Sequence, residues 1–126
     1  MENLQLLEGS PIIFTFSSQS KPLTETSKSI KCYGMHKASL EIVGATTFSI
    51  TVEGCVNATN VDTGAQLNDN EITWTKLATI SATSLEKVDT LNKNGIYYID
   101  LSGIQRVRLN VTSISGTPTI SMMRAD

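Results

Sequence analysis

His36 is the single histidine of this chain. With Ser39 and Glu41 it supplies the residue types of an acyl-transfer triad. In such a triad an imidazole takes the serine proton while a carboxylate orients the ring. The three residues crowd into one short stretch, and no G-x-S-x-G elbow surrounds the serine. A turn or strand-end histidine beside Lys37 is the preferred reading. Cys32-x3-His36 together with Cys55 offers three metal ligands, but a structural zinc site needs a second close pair. Two buried, reduced thiols and an unrelated histidine describe these residues better. The stretch with Asp62, Asn68, Asp69, Asn70 and Glu71 is rich in oxygen ligands. It lacks the EF-hand order, and Asn and Asp favour turns on their own account. No carboxylate pair sits in an apolar, motif-like context. The expectation is a non-enzyme with no catalytic residue, no metal and no cofactor.

Recognition chemistry is better supplied. Sugar-binding sandwiches stack pyranose rings on exposed aromatics. Adjacent Tyr97 and Tyr98 must face opposite ways in a strand, so one ring is exposed or set against a partner. Trp74 falls on the apolar side of its run and is expected in the core. Arg106 and Arg108 share one strand face, which reads as a solvated face with cross-strand partners. Asn57-Ala58-Thr59 and Asn110-Val111-Thr112 match the glycosylation pattern as chance matches in a threonine-rich chain.

The elements that position these residues are strands. The chain has 126 residues, one domain's worth. Ten basic against twelve acidic residues give a net charge of −2, which excludes a basic nucleic-acid binder. Sixteen Thr, twelve Ile and seven Val make 35 β-branched residues, stiff side chains suited to a pleated surface. Period-two alternation is expected over Ile12 to Phe16, Ala38 to Val43, Thr46 to Glu53, Ile72 to Ile80, Gly95 to Leu101, Val107 to Val111 and Pro118 to Met123. In the fourth run Ile72, Trp74, Ala78 and Ile80 share the apolar face. Val43-Gly44-Ala45, Lys93-Asn94-Gly95 and Ser102-Gly103 are the turn signals. Thr83 to Val88 allows one helical turn. Residues 17–29 and 57–71 read as loops, candidates for contact or flexibility. The sum is an all-β chain: an antiparallel β-sandwich over residues 1–126, jelly-roll-like or immunoglobulin-like. Residues 1–30 would form an N-terminal arm and loop. The first residues lack a basic, apolar signal sequence, and no apolar run is long enough for a membrane helix. Synthesis in a cytoplasm and no membrane partner are therefore expected.

The C-terminal half carries an arrangement W-x-x-L … G-x-Y-x-x-D-x-S-G-I-x-x-V-R-x-x-V, from Trp74 through Gly95, Tyr97, Asp100, Ser102, Gly103 and Ile104 to Val107, Arg108 and Val111. With the upstream strand Thr47 to Gly54, residues 46–112 resemble small all-β virion proteins of tailed bacteriophages and prophages, most of all capsid decoration proteins. The resemblance implies a protein on the outer capsid surface of the virion, made in the bacterial host. It would cement neighbouring copies of the major capsid protein non-covalently and assemble with itself, as trimers in many such proteins. Ile12, Ile13, Phe14 and Phe16 are the expected partner-binding residues, on an arm able to add a strand to a neighbour's sheet. A tail or baseplate module binding host-surface carbohydrate is the alternative.

Overall fold

The computed structural model describes residues 13–32 and 34–124. Eight strands follow one another along the chain: β1 Ile13–Ser17, β2 Ile30–Lys31, β3 Lys37–Cys55, β4 Thr75–Leu77, β5 Thr79–Ser81, β6 Lys87–Val88, β7 Gly95–Asp100 and β8 Arg106–Arg124. A single turn of 3-10 helix at Asp69–Glu71 is the helical content among the described residues. The strands form one antiparallel sheet in the order β1-β8-β3-β7-β5-β6, with β2 on β8 and β4 on β3. The all-β, sandwich-like class expected from the alternation is what the chain adopts.

The frame is the long pairing of β3 with β8, each 19 residues. Four of the expected strands are halves of these two. Val43-Gly44-Ala45 does not turn the chain back. Gly44 takes φ +80, and Gly116 opposite takes φ +88. These left-handed positions form bulges, and the pairing register shifts between Val43 and Ala45 and again before Phe48. A bulge leaves backbone groups without a ladder partner. The Asn94 amide supplies both halves for Ala45: its Oδ1 accepts from Ala45 N–H at 3.1 Å and its Nδ2 donates to Ala45 C=O at 2.9 Å. Pro118, which has no N–H, is buried within β8 beside this irregularity. Its carbonyl accepts from the buried Ser17 hydroxyl at 2.7 Å.

Inward residues of both halves of β3 belong to one core: Ala38, Leu40 and Ile42 before the bulges, Phe48, Ile50 and Val52 after them. The sheet therefore curls at the bulges and folds its inner face around a single apolar interior. Leu109, Val107, Ile120 and Met122 of β8 and Tyr97 and Ile99 of β7 complete it. Ile50 and Leu91 exchange backbone hydrogen bonds of 2.9 and 2.7 Å, tying the segment before β7 to the far half of β3.

Three other expectations change. The run Ile72 to Ile80 is not one strand: β4 and β5 flank Ala78. Thr79 is buried and Ile80 exposed, the reverse of the apolar pattern, because the Thr79 hydroxyl donates to Val88 C=O at 2.7 Å. Residues 82–84 form the turn between β5 and β6 rather than a helical one, and Leu85 takes φ +61. The N-terminal segment is not a free arm where it is described. β1 pairs with β8, and residues 26 and 27 continue along it: Ser27 N–H donates to Leu109 C=O, and Thr26 Oγ1 accepts from Val111 N–H. Ile12 lies outside the described residues.

Candidate functional site

The chemistry-bearing residues disperse into structural duties. His36 is exposed just before β3, and its carbonyl accepts from Leu101 N–H. Among the described residues no hydrogen bond joins its ring to Ser39 or Glu41, and no three His, Cys, Asp or Glu side chains gather as a metal site. Cys32 and Cys55 are free and buried. They flank Gln105, which accepts from Cys32 N–H and donates to Cys55 C=O. Two strand spacings, about 9–10 Å, thus separate their backbones, beyond the reach of about 7 Å that a disulfide allows. Burial, with Cys55 nearby, raises the Cys32 thiol to about 11. Both cysteines are core residues rather than reactive ones. The oxygen-rich loop satisfies itself: Asn57 and Asn60 accept from backbone N–H groups two or three residues on, and Glu71 caps Asn68 N–H at 2.8 Å.

Arg106 and Arg108 differ from each other. Arg108 has the cross-strand partner expected, Glu53 at 2.8 Å, and stacks over Trp74 at 4.4 Å from its ring centre. Trp74 is therefore not in the main core. It is half-buried against a second apolar cluster of Cys55, Ala58 and Ile72, and its indole N–H donates to Asp69 C=O. Arg106 is buried, not solvated. Its guanidinium reaches Leu67 C=O, the Gln66 side chain and Asp69, the last at 3.4 Å. It staples the 57–71 loop over the outer face of this half of the sheet.

Burial pushes the Asp69 carboxyl up, but the Ser29 hydroxyl and N–H bonded to it and the Arg106 and Arg108 charges hold it below the usual carboxylate range. A folded value below the unfolded one contributes stability that is present above the unfolded value of about 4 and lost as the pH falls through the folded one. Urea unfolding of Asp69→Asn should thus show a shallower acid decline than the parent; parallel declines would remove Asp69 from the balance.

Among the described residues, the other half of the outer face has no such cover. On it the strands bring together residues far apart in sequence. Ile13 of β1 pairs with Met123 of β8, Met123 with Ser39 of β3, Ser39 with Tyr98 of β7, and Tyr98 with Ile80 of β5. These residues form one row straight across five strands. Ile13, Met123, Tyr98 and Ile80 are 58%, 45%, 47% and 44% exposed. Val43 and Ile96 extend the apolar surface on the Glu41 side. Next to Tyr98 and Ile80 lies a hollow of about 580 Å³, also lined by Ala78, Lys37 and Asp100. Exposed apolar surface of this kind has the character that contact surfaces use.

Among the described residues, the edge beside it is open as well. β1 ends the strand order, and Ile13-Phe14-Thr15-Phe16-Ser17 contains no charge and no proline, the usual protections of an edge strand. Of the expected partner-binding residues, Ile13 points outward, whereas Phe14 and Phe16 turn inward and pack on the core. What β1 offers a partner is main chain and Ile13, not the two rings. The Ile13–Ile80 row itself was not legible from sequence, since it exists through strand register. Tyr98 was its one signal.

This fold occurs in prophage proteins. The crystal structure of the SPBc2 prophage-derived protein YomS matches with a TM-score of 0.69 and 18% identity, over 90% of this chain and 91% of that one. The PBSX exported protein XepA matches with a TM-score of 0.66 and 14% identity, over 89% of this chain and 36% of that one. At such identities the likeness is one of fold. No protein family and no curated protein matches the sequence.

Proposed function

We propose that the protein is a structural component of a bacteriophage particle that works by non-covalent contact, as a decoration protein on the outer head surface. The observation that carries this reading is the edge of β1, Ile13–Ser17, which is unpaired among the described residues and suits strand addition by a capsid subunit. The edge strand is anchored rather than loose, since Phe14 and Phe16 hold it on the core. A docked capsid subunit would therefore meet a pre-ordered template, with little ordering entropy left to lose on binding. The fold shared with YomS and XepA supports a phage origin. The likeness to XepA, an exported protein, supports a second reading, a prophage protein released without the particle.

Copy number separates the two. Particles purified from the source and measured by mass spectrometry should contain this chain in a fixed, simple ratio to the major capsid protein. A handful of copies per particle would move it to the tail. Recovery only in the particle-free supernatant would replace the virion reading with the exported one.

A further inference from the structure

Among the described residues nothing covers this half of the outer face, and its own charges indicate an occupant. Lys37 and Glu41 are both exposed on β3 and lie on the two sides of the row, one pleat from Ser39. A two-fold axis running along the row, in the plane of the face, carries each side of the row onto the other. It sets Lys37 of one copy opposite Glu41 of the next, twice. The same operation keeps Tyr98 on Tyr98 and Met123 on Met123. It also lays the exposed Ile96, two residues from Tyr98 in one direction, over the hollow beside Asp100, two residues away in the other. An axis along the strands would instead oppose Lys37 to Lys37.

The area is close to what an interface needs. Ile13–Ser17 of β1, residues 118–124 of β8 and 37–43 of β3, Gly95–Asp100 of β7 and Thr79–Ser81 of β5 make a face of roughly 450 Å² at about 4.8 Å by 3.4 Å per residue. A pair then buries about 900 Å², near the roughly 1,000 Å² of a specific interface. Two twisted sheets also pack face to face in an aligned manner without strain.

We infer that this face is covered by a second copy of the chain, in a two-fold dimer with reciprocal Lys37–Glu41 pairs across the Ile13–Met123–Tyr98–Ile80 row. The inference stands apart from the virion reading. The face uses side chains and leaves the β1 edge free for a different partner.

The test is the solution mass of the full chain by light scattering and native mass spectrometry. The expected mass is twice 13.7 kDa. Tyr98→Glu and Met123→Lys, both at exposed positions, should give folded monomers. Lys37→Glu and Glu41→Lys should each weaken association by about tenfold or more, and K37E combined with E41K should restore it, because the reciprocal pairs re-form with reversed sign. Circular dichroism confirms that each variant is folded. A monomeric parent at about 100 µM would overturn the inference. So would an oligomer indifferent to Tyr98→Glu and Met123→Lys, or a combined variant as weak as the single ones. A parent monomer that gains mass only when capsid protein or glycan is added would assign the face to that partner instead.

Discussion

Arg106→Ala should destabilise the protein by about 3 kcal/mol, the lower end of the range for breaking a buried ion pair. The side chain is 10% exposed, and its guanidinium groups hold three acceptors from the covering loop: Leu67 C=O, Gln66 and Asp69. Removing it strands these acceptors beneath a loop that then has little reason to stay down. The cost stays near the lower end because Asp69 is 32% exposed and rehydrates. The loss should also be local. The second apolar cluster of Cys55, Ala58 and Ile72 relies on the loop. Residues 57–71 should become cleavable by protease at low urea, whereas β7 and β8 remain protected. Urea midpoints measure the first effect and limited proteolysis the second. A destabilisation under about 1 kcal/mol, within the range of a surface ion pair, would show that the loop is held by its apolar cluster instead. Arg108→Ala is the useful contrast. Its partner Glu53 sits directly across the strand, and the loop keeps its Arg106 anchor, so proteolysis within 57–71 should change little.

How far such effects were legible beforehand depends on the residue. Alternation placed the strand segments well: Leu40, Ile42, Phe48, Ile50 and Val52 are core in the order their spacing implies. It misjudged how segments join. Gly44 serves a turn or a bulge equally well, since both need positive φ, and the deciding partner, Gly116 with its shifted register, lies far along the chain. Arg106 looked solvated because its strand neighbours alternate like an exposed face. The loop that covers it is polar and gives no sign of docking. Ile80 and Thr79 exchanged places for the sake of one hydroxyl, which reaches Val88 C=O across a hairpin. The outer apolar row is the strongest case. Ile13, Ile80, Tyr98 and Met123 stand on separate strands, and each alone is an ordinary exposed apolar residue. Together they are a surface, because five strands share one register. Sequence could show that Tyr97 and Tyr98 diverge, but not what Tyr98 would meet.

The bend at the bulges is sensitive to a small addition. Gly116→Val should cost about 3 kcal/mol, the sum of a left-handed backbone strain of about 1–2 kcal/mol and an overpacking of about 1–3 kcal/mol. At φ +88 any side chain is strained, and a β-carbon there would come within 3.0 Å of Thr46 Oγ1, 3.2 Å of Thr46 N and 3.3 Å of Gly44 C=O. Two of these three atoms are backbone, so they cannot rotate aside. Relief requires β3 and β8 to separate where the sheet curls, and this opens the core between Ile42 and Phe48. Gly103→Val isolates the first contribution. Gly103 has φ +78 with nothing within 4 Å of its β-carbon position, so it bears the strain without the collision. The expected order is a loss of about 1–2 kcal/mol at Gly103 and about twice that at Gly116 in urea unfolding. Equal losses would mean that the bend accommodates the added atoms and that backbone conformation alone selects glycine. A larger loss at Gly116 would place a steric constraint at the bulged pairing of the two long strands. The bare outer face depends on that constraint, because the curl sets where the near half ends and the loop-covered half begins.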